Sequence, residues 1–151
     1  MIQRDKLHSA CILGDLALVK RLLSEGADVN FADGEGWSAL HYAAAKGRAE
    51  VARILIDAGA DLKAQSSKVG RTPLHLACDE ERGFDVALML IEAGADMNAM
   101  NRFGLTPFDM PNGRSVREYY ESRLAEKVIS ETFASGPAAD GAITSRRGLS
   151  L

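Results

Sequence analysis

Cysteine is scarce in this chain, with two residues in 151. Two thiols cannot build a disulfide framework, so a reducing cytoplasm is the expected setting. Proline occurs four times and tryptophan once. No stretch approaches the roughly 18 apolar residues of a membrane span. The opening Met1-Ile2-Gln3-Arg4-Asp5-Lys6 has no apolar run behind it, which argues against a secretory signal. Positive charge is not in excess either: the net charge is −3. That excludes the basic stripe expected of a nucleic-acid or anionic-membrane binder. No glycine-rich phosphate loop or nucleophile–base pair stands out, so no small-molecule substrate, cofactor or enzymatic activity is expected.

What the chain has is self-similarity, with 46% apolar residues to build a core. Three segments end alike: Leu22-Leu23-Ser24-Glu25-Gly26-Ala27-Asp28, Leu55-Ile56-Asp57-Ala58-Gly59-Ala60-Asp61 and Leu90-Ile91-Glu92-Ala93-Gly94-Ala95-Asp96. Their glycines are 33 and 35 residues apart. A second series runs Leu7-His8, Ser38-Ala39-Leu40-His41, Thr72-Pro73-Leu74-His75 and Thr106-Pro107-Phe108-Asp109, with final residues 33, 34 and 34 apart. Two independent markers sharing one period define a repeat.

The local chemistry of each repeat is that of a helix pair. Ser38 and Thr72 stand where a first helix starts, and Pro73 suits the first turn because its missing N–H has no partner there. Second helices are predicted at 16–24, 49–57 and 84–92. Val51, Ile54, Leu55 and Ala58 form one apolar face of the middle one. Gly26, Gly59 and Gly94 end these helices. One such unit cannot bury its apolar face alone, so neighbours must stack.

The Thr-Pro-Leu-His start with two small residues after it, and the Leu-x-x-Gly-Ala-Asp ending, closely resemble the ankyrin repeat over about residues 5 to 110. The resemblance implies an all-α solenoid of about four units, each a β-turn and two antiparallel helices. Units are expected at 4–32, 33–65, 66–100 and 101–129, together an ankyrin domain of 1–129 with a flexible tail at 130–151. A capping helix is predicted from Ser115, with Glu118 completing a capping box and an apolar stripe of Val116, Tyr119, Tyr120, Leu124 and Val128.

The three histidines occupy one repeat position, where the resemblance implies that the imidazole ties adjacent turns together. His8-x-x-Cys11 and His75-x-x-Cys78 have a spacing compatible with zinc. Both cysteines fall in a small-residue slot two repeats apart, so neither a shared metal site nor a disulfide is expected. Asp79-Glu80-Glu81 lies where unit three carries one extra residue, and reads as a solvated acidic loop. Asn30 and Asn98 resemble sites hydroxylated in animal ankyrin proteins, but asparagine also suits the turn at this position.

The family resemblance implies an unidentified protein partner, bound along the concave face and the turn tips by a chain that is monomeric on its own. Carried over position by position, the partner-binding candidates are Ile12 and Leu13, Phe31, Glu35, Trp37 and Lys46. Arg71, Asp79, Glu80, Arg102 and Phe103 complete the set. An adaptor or stoichiometric regulator is the expected role. Self-association through the apolar strip or the tail is the alternative.

Overall fold

A computed structural model describes residues 2–134, and these hold seven α-helices and no strand. Helices α1 (Ile2–Leu13), α3 (Ala39–Ala45) and α5 (Pro73–Asp79) form a first row. Helices α2 (Leu16–Ser24), α4 (Ala49–Asp57) and α6 (Phe84–Glu92) form a second, each packed on the first-row helix before it. The three second helices start and stop where the periodicity predicts. Residues through Val116 make one compact unit and those from Arg117 a second.

The core of the first unit repeats as the sequence does. Leu7, Leu40 and Leu74 fill one position of the first helices, and Val19, Ala52 and Ala87 one position of the second. Leu22, Leu55 and Leu90 fill another, and all nine side chains are at most 2% exposed. Small residues let the two rows close up: Ala10, Ala43 and Ala77 are fully buried, as are Cys11, Ala44 and Cys78 beside them. The two cysteines therefore act as small hydrophobes. Both are free, and burial pushes each thiol up to about 12.

The fourth unit is a truncated repeat. Thr106 begins it as Thr72 begins α5, but only a 3₁₀ turn forms over Pro107–Asp109. Pro111 blocks further helix because it lacks an N–H and disfavours helical backbone at Met110. Asn112 then turns back: its backbone N–H donates to the Cys78 carbonyl at 2.8 Å and its Nδ2 to the Asp79 carbonyl at 3.2 Å. Orphan carbonyls at the end of α5 are satisfied in this way. Helix α7 (Gly113–Ala134) follows, starting two residues before the predicted Ser115. Close packing where the helix begins requires a glycine. Gly113 lies against Pro107 and Phe108 so closely that no Cβ fits there. Val116, in the first turn of α7, is fully buried in the first unit.

The added length of unit three is taken up by a second 3₁₀ turn, Glu81–Gly83, between α5 and α6. Among the described residues, no helix is long and apolar enough to cross a membrane. The residues from 135 onward, most of the predicted tail, lie outside the described chain.

Candidate protein-binding surface

Between successive helix pairs the chain makes a tight turn, and one polar side chain organises each. In the first, Asp33 Oδ1 accepts from the backbone N–H of Glu35 at 2.9 Å and of Trp37 at 3.1 Å. In the third, Asn101 Oδ1 accepts from Phe103 and Leu105 at 2.9 and 3.1 Å. Ser66 Oγ accepts from the Arg71 N–H at 3.0 Å in the second. Sequence reasoning missed these three residues, although each is a short polar side chain at one repeat position, a turn signal in itself.

The turns are also joined to one another. Ser67 donates its N–H to the Glu35 carbonyl at 2.9 Å, and Arg102 to the Val69 carbonyl at 2.8 Å. Gly36 permits this approach: its φ is +74°, and a Cβ there would lie 2.6 Å from the Ser67 nitrogen. A Glu35–Lys68 ion pair at 2.9 Å spans the same two tips, but both side chains are more than half exposed and it contributes little.

The histidines make the longer ties. The Ser38 N–H donates to His41 Nδ1 at 3.1 Å, so that nitrogen is unprotonated and Nε2 carries the hydrogen. Nε2 then donates to the Arg71 carbonyl of the next turn at 3.0 Å. His75 repeats the pattern, accepting from the Thr72 N–H at 3.1 Å and donating to the Leu105 carbonyl at 2.8 Å. His8 Nε2 reaches the Phe31 carbonyl at 3.1 Å. Burial holds His41 and His75 below the ordinary histidine range, although the carbonyls they bind push the other way.

Asp109 stands fourth in this series and performs half the role. Its carboxylate accepts from the Thr106 N–H at 2.8 Å and hydroxyl at 2.9 Å, capping the turn. The Thr106 N–H, then its hydroxyl, hold that carboxyl below the usual range. A carboxylate has no hydrogen to pass on to a further turn.

The candidate residues fall into three groups on this frame. Phe31 and Trp37 belong to an aromatic cluster: the Trp37 ring lies 5.0 Å from Tyr42 and 6.1 Å from His41, and His8 lies 5.1 Å from Tyr42 and 5.6 Å from Phe31. The Tyr42 hydroxyl donates to Asp33. Burial and that carboxylate raise the Tyr42 pKa to about 12. At Asp33 burial acts upward, but the Tyr42 hydroxyl and the Trp37 and Glu35 amides prevail and hold the carboxyl low. Phe31 and Trp37 are both half-buried.

A second group is ionic. Arg71 pairs with Asp79 at 3.1 Å, from the start of α5 to its end, and its Nε is buried without an acceptor. Lys46, Glu80 and Arg102 are exposed. The third group is apolar and open. Leu13 is 72% exposed and Phe103 73%, the latter joined on the last turn by Met100 at 63% and Leu105 at 40%. Met100 is a surface residue that motif reasoning did not single out. Ile12 is half-buried, and its carbonyl accepts from Arg48 Nε at 3.1 Å. Among the described residues, no three His, Cys, Asp or Glu side chains converge as a metal site would need.

A family model described as "Ankyrin repeats (3 copies)" matches residues 7–101. The chain belongs to the ankyrin-repeat family. Similar ankyrin proteins include human Rabankyrin-5, 35% identical over 71% of this chain and 11% of that protein. Chicken nuclear factor NF-kappa-B p105 subunit is 34% identical over 72% of this chain and 11% of its own length. Mouse protein phosphatase 1 regulatory subunit 12A is 38% identical over 52% of this chain and 8% of its own. The chain thus spans about a tenth of the length of these relatives. Ankyrin repeats generally mediate protein–protein interaction, and the family is typically not enzymatic.

Proposed function

We propose that this ankyrin domain binds a partner protein through its turn tips and the outward side of its first-helix row, as an adaptor or stoichiometric regulator. One observation carries the reading: large apolar side chains stand open on a frame tied at every step. Phe103, Met100 and Leu105 project from a turn whose backbone is held by Asn101, by the Arg102–Val69 bond and by His75. Exposed apolar groups of this kind mark interfaces. A preformed surface loses little conformational freedom on binding, so contact energy is retained as affinity. Phosphatase regulatory subunits among the relatives support the regulatory sense of the reading.

The test compares capture of partners from lysate by the wild-type chain with capture by Phe103→Asp and Leu13→Asp variants of matched folding. Stoichiometric capture lost in either variant supports the surface. Capture retained by both moves the interface elsewhere on the domain.

A further inference from the structure

Each second helix runs into the same tight turn, in which an aspartate carboxylate accepts from the N–H two residues on. Asp28 holds Asn30 at 3.0 Å, Asp61 holds Lys63 at 2.9 Å and Asp96 holds Asn98 at 2.9 Å. At the first junction the side chain of Asn30 then crosses to the next unit. Its Oδ1 accepts from the Asp61 N–H at 2.7 Å, and its Nδ2 donates to the Gly59 carbonyl at 3.4 Å. One carboxamide thus satisfies a donor and an acceptor of its neighbour.

At the second junction the equivalent residue is Lys63, and the equivalent groups of unit three are the Asp96 N–H and the Gly94 carbonyl. An ammonium carries only donors, so Lys63 cannot take the place of the Asn30 oxygen. Among the described residues, no protein group accepts from the Asp96 N–H or donates to the Gly94 carbonyl. Against Asp96 lies a cavity of about 270 Å³ whose walls include Leu62, Lys63, Gln65, Ala99 and Met100. Gln65 Nε2 donates to the Met100 carbonyl at 3.2 Å and so joins two of these walls.

We infer that this cavity binds a primary carboxamide on a short aliphatic stem, a glutamine-like group. Its carbonyl oxygen accepts from the Asp96 N–H and its amino group donates to the Gly94 carbonyl, as Asn30 does one unit earlier. Leu62, Ala99 and Met100 supply apolar wall for the stem. Lys63 and Asp96 bring one charge of each sign, so the cavity favours a neutral polar ligand. A carboxylate would lack the hydrogen for the Gly94 carbonyl and would lie beside the Asp96 carboxylate. The chemistry is the same for free glutamine and for a glutamine side chain of a bound polypeptide. The inference does not depend on the turn-tip surface proposed above.

Amide NMR spectra of the full chain test it, titrated with glutamine, glutamate and N-acetylglutamine methylamide. Glutamine shifts the Asp96 amide resonance saturably, and glutamate binds about tenfold more weakly. Lys63→Asn installs the missing tie and abolishes the glutamine response, with a urea midpoint at or above wild type to verify its fold. Lys63 is exposed, so Lys63→Ala removes the ammonium but not the backbone groups and binds glutamine within about twofold of wild type. A blocked glutamine that binds as glutamine does identifies a polypeptide side chain as the ligand, whereas binding by glutamine alone identifies the free amino acid. An unmoved Asp96 resonance overturns the inference. So does glutamate bound as tightly as glutamine, a Lys63→Asn chain that still responds, or a Lys63→Ala chain that does not.

Discussion

His75 and Leu105 are 30 residues apart in the chain, yet the imidazole Nε2 of one lies 2.8 Å from the carbonyl of the other. The bond crosses from the third unit to the fourth, and its direction is set within the third. Because Nδ1 accepts from the Thr72 N–H, only Nε2 is left to donate. One side chain thus caps its own helix and positions the next turn, the turn that displays Phe103.

Replacing His75 by Ala leaves the Thr72 N–H and the Leu105 carbonyl without this partner. An unsatisfied buried group costs about 1–3 kcal/mol. We expect His75→Ala to lower unfolding free energy by about 2–4 kcal/mol, read as a lower urea midpoint. A variant unfolding within about 0.5 kcal/mol of wild type would show that the tie is dispensable.

Acid should weaken the fold through the same side chains. His41 and His75 are fully buried, and burial holds their folded pKa values below the ordinary histidine value of about 6.5. Below 6.5 the unfolded chain therefore binds protons that the folded chain refuses, and stability falls as pH falls. It is fully present above that value, with a slope of at most about 1.4 kcal/mol per pH unit for each histidine. Urea midpoints should be flat above about pH 7 and decline toward about pH 5. A flat profile across that window contradicts neutral, desolvated imidazoles.

Cys11 and Cys78 should resist thiol reagents in the native state, because both are buried and burial pushes each thiol up to about 12. Modification should proceed at the rate or population of opening, and become immediate in denaturing urea. Rapid native labelling of either would contradict the packing described for the small-residue slot.

Phe103 and Trp37 should separate binding from stability. Phe103 is 73% exposed, so Phe103→Ala should change unfolding free energy by no more than about 0.5 kcal/mol. Its effect belongs to partner binding, about 2 kcal/mol for a hot spot. Trp37 packs on Tyr42 and His41, so Trp37→Ala should destabilise the fold by about 1–2 kcal/mol before any partner is added. Titration calorimetry beside urea denaturation distinguishes the two.

Much of the repeat architecture was legible because it depends on short-range chemistry. The glycine stops, the Thr-Pro start and the apolar spacing act within a few residues, and the second helices have the predicted bounds. The substitution of Asp109 for histidine already marked where the repeat pattern departs. The α7 start was misread because a Ser-x-x-Glu box is a local signal. The contact that governs Gly113 comes from Pro107 and Phe108, brought back by a turn.

Periodicity and local residue chemistry by themselves determined the helix pairs and the core positions, since those follow from spacing along one chain, and the Thr-Pro-Leu-His and Gly-Ala-Asp motifs carried the resemblance to the family. Only the tertiary structure decided which outward residues are open and which are enlisted. Phe31 and Trp37 look as free as Phe103 in sequence, but the folded turns set them beside His8, His41 and Tyr42. Leu13 and Phe103 keep no such cover. The physical reason is that exposure is a property of neighbours in space, and in a stacked repeat those neighbours come from the unit before or after.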